Sequence, residues 1–154
     1  MYRLLLLMLP LFAWGGEVSE YRVESGGHSW TVHGWAPDGA GEFPLVVVLH
    51  GAGGGGLAYL EKNGWLAEAK LRNFIVVAPD GLPARPGEPA NFLTNPRVWN
   101  AGNLRAGTPR ARLDDVAFVT AMLDDAERRW RGLSQFPGTP ASPARSGPAR
   151  SGQR

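Results

Sequence analysis

Apolar and polar residues alternate near the start of the chain, and further along they stop alternating. In "SWTVHGW", Trp30, Val32 and Gly34 interleave with Ser29, Thr31 and His33, the period of a half-buried strand. Glu20–Glu24 and Ser29–Ala36 are predicted as two strands joined at "SGGH", where glycines accept the positive φ that a tight hairpin needs. After the loop "APDGAGEF" the pattern changes. "PLVVVLH" is apolar on both faces up to His50, which predicts a strand covered on both sides, as in a parallel sheet between helices. "NGWLAEAKLRN" predicts a short helix with Asn63 as its cap and Trp65, Leu66 and Ala69 on one face. "FIVVAPDG", Phe74 to Gly81, is a second wholly apolar strand ending in a turn at Asp80. Strand, helix and strand in that order imply a parallel crossover.

From Leu82 to Arg110 the chain is rich in Pro, Gly, Asn and Arg and predicts a long irregular excursion, a type of loop that is often functional. "LDDVAFVTAMLDDAERRW" is the strongest helix. Asp114 and Asp115 stand at its cap, and Val116, Val119, Leu123, Ala126 and Trp130 recur at helical spacing. Arg128, Arg129 and Arg131 favour its negative C-terminal end. Gly132–Arg154 has no apolar periodicity and is nearly all Gly, Pro, Ser, Ala and Arg, so residues 132–154 predict a disordered low-complexity tail. The fold class is therefore α/β over residues 16–131, an antiparallel opening hairpin followed by parallel strands with crossover helices.

At the N-terminus, Arg3 precedes an apolar run from Leu4 to Trp14, and Ala13 and Gly15 stand as the small residues of a cleavage site before Gly16. Residues 1–15 thus have the layout of a secretory signal peptide. The run is about half the ~20 residues a membrane span requires, so no stable membrane anchor is expected. The localisation expected is secreted, extracellular or periplasmic. Composition adds three constraints. With 44% hydrophobic and 19% charged residues the chain can build a core. A net charge of +2 gives no ground for a nucleic-acid partner. The absence of cysteine excludes disulfides, thiol nucleophiles and zinc–thiolate sites.

The stretch Pro44–Gly56 asks for a chemistry, because its apolar strand ends in His50, Gly51, Ala52 and four glycines. Two chemistries fit. Gly51, Gly53 and Gly56 satisfy GxGxxG, and Asp80 ends the next strand where a ribose-binding carboxylate would stand. That points to a dinucleotide-binding domain. Six consecutive small residues also satisfy the pattern by chance, a hairpin comes first, and Pro79 stiffens the approach to Asp80. A Walker phosphate loop is excluded, since no Lys-Ser/Thr follows the glycines. The second chemistry is an oxyanion hole. Ester hydrolysis places negative charge on the carbonyl oxygen of its tetrahedral intermediate, and bare backbone N–H groups at a strand end can receive it.

In its sequence order, the chain resembles the α/β-hydrolase superfamily, in particular the secreted polyhydroxybutyrate depolymerase and feruloyl-esterase-like group. The likeness runs through the opening hairpin, "PLVVVLHGAG", "GWLAEAKLRNFIVVAPDG", "VWNAG" and "DDVAFVTAMLDD", from Tyr21 to Trp130. It implies a secreted carboxylic-ester hydrolase acting on a small-molecule or polymeric ester without a cofactor. It also implies that Gly51 and Ala52 are the oxyanion donors. Ala52 stands where the family often has cysteine, a change a backbone donor tolerates. The same resemblance puts the "PLVVVLH" strand beside a nucleophile strand with a GxSxG elbow. No GxSxG occurs in this sequence. The chain therefore reads as an N-terminal part of such an enzyme, inactive alone, with no nucleophile, acid or base present. Its tail has the composition of an out-of-frame GC-rich reading, and the DNA after Trp130 should encode an apolar strand and a GxSxG in another frame. His28, His33 and His50 read as structural. Trp99 in "RVWNAG" is a candidate for a substrate groove, with packing as the preferred role, and Trp30, Trp35, Trp65 and Trp130 sit at core-like positions. A non-catalytic secreted binding module using the Trp-bearing loops is the remaining alternative.

Overall fold

The computed structural model describes residues 16–39 and 42–130; the expected signal peptide and low-complexity tail lie outside them. Strands β1 (Ser19–Ser25) and β2 (His28–Trp35) form the hairpin, with Tyr21 opposite Val32 and Val23 opposite Trp30. Gly26 and Gly27 turn it at φ +60° and +74°, both left-handed, where a side chain would strain the backbone. Strand β3 (Leu45–Val47) is followed by helices α1 (Gly56–Lys62) and α2 (Trp65–Arg72), then by β4 (Ile75–Pro79). One sheet results, in the order β1-β2-β4-β3, antiparallel except for the parallel pair β3–β4. A 3₁₀ turn at Arg110–Arg112 and helix α3 (Asp115–Arg129) complete the described chain. The fold is mixed α/β.

Two apolar clusters, one on each face of the sheet, explain why β4 is apolar at every position. Ile75 and Val77 join Tyr21, Val23, Trp30, Val32, Phe118 and Met122 on the α3 side. Val76 and Ala78 join Trp35, Val48, Leu60 and Ala69 on the α1–α2 side. The four residues from Ile75 to Ala78 enter the two clusters alternately, by the two-residue period of a strand.

Several expectations need correction. The predicted helix is α2, but Gly64, at φ +80°, precedes it, and Asn63, expected as its cap, instead ends a separate helix, α1. α1 begins inside the glycine run, where no helix was expected. The "PLVVVLH" strand shortens to three half-buried residues, because β3 is an edge among the described strands; beyond it Val48 and His50 are buried and Leu49 is exposed. His33 is buried rather than half-exposed, because β2 is internal and its second face is covered. The buried stripe of α3 is Phe118, Met122 and Ala126, spaced by four, and Val116 is 77% exposed. The helix is thus rotated from the predicted face so that the larger Phe118 meets Trp30. Asp114 does cap α3, accepting from the Ala117 N–H, but Asp115 turns back to Arg110. Trp65 is 38% exposed and not a core residue.

At the end of α3, Trp130 meets Tyr21 edge to face and the Arg129 guanidinium lies 4.0 Å from the Tyr21 ring centre. The Tyr21 hydroxyl is buried without a hydrogen-bond partner among the described residues. Burial first, and then the charge of Asp125, push its pKa well above the ordinary phenol range, with Arg129 only partly offsetting them. An unfolded tyrosine loses its proton above about pH 10, whereas the folded one keeps it, so this residue costs stability as pH rises past that point. Tyr21→Phe removes an orphan hydroxyl and is expected to stabilise by up to about 1 kcal/mol near neutral pH. The advantage should widen at about pH 11. Urea denaturation at both pH values checks it; a lower midpoint for the variant at both would refute it.

Candidate functional site

The ends of β3 and β4 bring the glycine run together with the excursion. β3 keeps its pairing as far as the bond from Val48 N–H to Val77 carbonyl, 2.8 Å. His50 then turns inward and is buried. Its Nε2 lies 2.8 Å from the Gly81 backbone N–H, and its Nδ1 lies 2.7 Å from the Gly51 carbonyl. A backbone N–H can only donate, so Nε2 is the acceptor and Nδ1 carries the proton. Both ring nitrogens are thereby committed. His50 is a neutral strut between two loops and not a free base.

Trp99 fixes the next peptide. Its indole N–H donates to the His50 carbonyl at 2.9 Å, while its ring stacks with Trp30 and Phe118. No peptide bond in the described chain is cis. In a trans peptide the C=O and N–H point in opposite directions, so tethering the His50 carbonyl to Trp99 aims the Gly51 N–H away from Trp99. The following peptide is held the same way: the Gly51 carbonyl receives His50 Nδ1–H and the Gly54 N–H, the latter at 3.0 Å. The Ala52 N–H is therefore aimed opposite to those two donors. Gly51 and Ala52 are both exposed, and neither N–H has an acceptor among the described residues. Gly53, at φ +76°, turns the chain back, and its N–H donates to the Arg97 carbonyl at 2.7 Å.

Asp80 occupies the other end of the run. One carboxylate oxygen accepts the Gly56 N–H at 2.7 Å, and the other lies 3.2 Å from the Arg97 guanidinium. His33 Nε2 is 3.9 Å from the first oxygen. In a dinucleotide site the helix start faces a pyrophosphate and the strand-end acid faces a ribose. Here the acid itself sits on the helix start, so neither position is open. The GxGxxG match in Gly51, Gly53 and Gly56 lacks the geometry that would make it a fingerprint.

The expected donors Gly51 and Ala52 are thus adjacent, exposed and unpaired among the described residues, and Trp99 donates to the carbonyl of the same peptide as the Gly51 N–H. Sequence reading missed the Trp99–His50 tether, because two residues 49 apart carry no shared local pattern. It also missed the bracketed "NFLTN" at Asn91–Asn95, although paired asparagines around a short insert are a turn signal. The described serines, Ser19, Ser25 and Ser29, all lie on β1 and β2, which β4 separates from β3. Among the described residues no helix is long and apolar enough to cross a membrane. Compared with protein-family models and with curated proteins, the chain matches none.

Proposed function

We propose that this chain carries the oxyanion-binding part of a secreted carboxylic-ester hydrolase of the polyhydroxybutyrate depolymerase and feruloyl-esterase-like type. The observation that carries the reading is the pair of successive unpaired amides at Gly51 and Ala52, each aimed by a bond to the carbonyl of its own peptide. When an ester carbonyl becomes tetrahedral its oxygen gains a full charge. Fixed amides receive that charge without reorganising, and one such donor is typically worth about 3–4 kcal/mol in the transition state. His50 and Trp99 act here as positioning residues. The substrate class is a small-molecule or polymeric ester, and the Arg3–Trp14 leader accounts for export, with Gly16 as the first residue expected by N-terminal sequencing of the exported protein.

Acyl transfer also needs a nucleophile and base within about 3 Å of each other. The sequence has no GxSxG, and the described serines lie on β1 and β2, beyond β4 from β3. Purified chain is therefore expected to leave p-nitrophenyl butyrate unhydrolysed and to resist fluorophosphonate labelling. The donor site itself is tested by titrating ¹⁵N-labelled protein with acetate, whose carboxylate stands in for the oxyanion. Saturable shifts concentrated at the Gly51 and Ala52 amides are expected. Shifts spread over surface cations with none at these two amides would refute the site.

A further inference from the structure

We infer that Phe92 and Leu93 form the wall that receives the apolar acyl chain of the ester, beside the Gly51 and Ala52 donors. This assignment rests on the ester-hydrolase reading above. The two side chains are 71% and 84% exposed, in a loop braced by its own hydrogen bonds. Asn91 and Asn95 exchange backbone bonds of 2.9 Å in both directions, and the Asn91 side-chain oxygen accepts the N–H groups of Leu93 and Thr94 at 3.0 Å. Asn95 is fully buried. Its oxygen accepts the Arg85 N–H, and its amide donates to the carbonyls of Arg85, Glu88 and Pro89. A polar side chain with that many bonds beneath a tip of Phe and Leu holds the apolar pair out in water, and an exposed apolar pair on a rigid support is a recognition surface.

The Phe92 ring is seated next to the donors. A Cβ on Gly53 would lie 2.6 Å from the Phe92 ring, so the ring rests on the bare backbone of the residue after Ala52. The Gly53 N–H bond to the Arg97 carbonyl ties the excursion to the glycine run at the same place. The Arg97 guanidinium pairs with Asp80, which balances its charge, and the Phe92 ring is the apolar surface next to the two amides. A carboxylic ester has this pairing of a polar carbonyl and an adjoining hydrocarbon chain.

The experiment compares acetate with monomeric octanoate on ¹⁵N-labelled full chain, followed by NMR. Octanoate should shift Gly51 and Ala52 as acetate does, shift Phe92 and Leu93 in addition, and bind more tightly. Phe92→Ala and Leu93→Ala should each weaken octanoate about tenfold, the loss expected for one large buried apolar contact, while acetate affinity stays the same. Unchanged β1–β2 resonances in the variants confirm folding. If acetate binds at Gly51 and Ala52 but octanoate is no tighter, or the variants bind it equally, this assignment is wrong and the oxyanion reading survives. If neither ligand shifts those amides, the oxyanion reading fails first. Two other results overturn the assignment: wild-type binding to phosphatidylcholine vesicles that Phe92→Ala abolishes while octanoate binding is unchanged, or ligand-free, concentration-dependent broadening confined to Phe92 and Leu93, which signals self-association.

Discussion

Arg110→Ala is expected to destabilise the protein by about 3–5 kcal/mol, a large share of the 5–15 kcal/mol that typically holds a domain together. Arg110 is 1% exposed. Its Nη2 donates to Asp115 at 2.7 Å and to the Val98 carbonyl at 2.8 Å, and its Nε reaches the carbonyls of Val98 and Leu82. The guanidinium also lies 5.5 Å from the Trp30 ring centre. Truncation leaves the Asp115 carboxylate largely buried without its counter-charge. The Asn100 N–H still reaches it, but one neutral donor does not balance a buried charge. The pair itself is imperfectly satisfied, since Arg110 Nη1 and Asp115 Oδ1 have no partners. The double variant Arg110→Met with Asp115→Leu should therefore recover most of the loss. Urea denaturation of the wild type, the single variant and the double variant decides it. A loss under about 1 kcal/mol for Arg110→Ala would show that the pair is not the buried support described here. The consequence reaches the site, because Val98 precedes the Trp99 that aims the Gly51 amide.

Arg110 also shows where sequence reading stops. An arginine at the end of a Pro-, Gly- and Arg-rich segment looks like a solvated charge, and only the return of the excursion onto Trp30 buries it. The elements that were legible rest on local chemistry. Two glycines at a hairpin turn, an aspartate before an apolar period and a five-residue β-branched and apolar run each specify their conformation within a few residues. The α3 face was not legible, because Val116 and Phe118 both fit a helical stripe and the sheet chooses between them. The three-residue β3 and the buried His33 depend on strand order, which no single strand encodes. The proposed donor pair is a further case. The resemblance indicated Gly51 and Ala52, while the physical reason their amides are free lies in a tryptophan and a histidine whose bonds sequence cannot show.

The glycine run makes the same point by experiment, since neighbouring glycines should respond very unequally to one added methyl group. Gly56→Ala is expected to cost about 3 kcal/mol or more, at or beyond the upper end for overpacking. A Cβ there would stand 2.1 Å from the Ala78 carbonyl oxygen, and β4 backbone cannot yield by changing a rotamer. α1 must then lift from the sheet. That exposes Leu60, now fully buried, and breaks the bond between Gly56 N–H and Asp80. Gly55→Ala adds the same methyl one residue earlier. Gly55 is extended at φ −158°, a conformation any residue adopts, and its Cβ would meet only the side-chain atoms of Asp80 at 3.3 Å and Arg97 at 4.0 Å. Those atoms can move by tenths of an ångström. The lost freedom of the unfolded chain offsets part of any cost, so the net change should stay within about 1 kcal/mol. Denaturant midpoints should fall steeply for Gly56→Ala and barely for Gly55→Ala, and acetate shifts at Gly51 and Ala52 should vanish in the first and persist in the second. Equal midpoints for the two variants would mean that α1 does not close onto β4 at Gly56. Loss of acetate binding in Gly55→Ala with stability intact would mean that the donors depend on Gly55 directly, and not on the seat that Gly56 gives the helix.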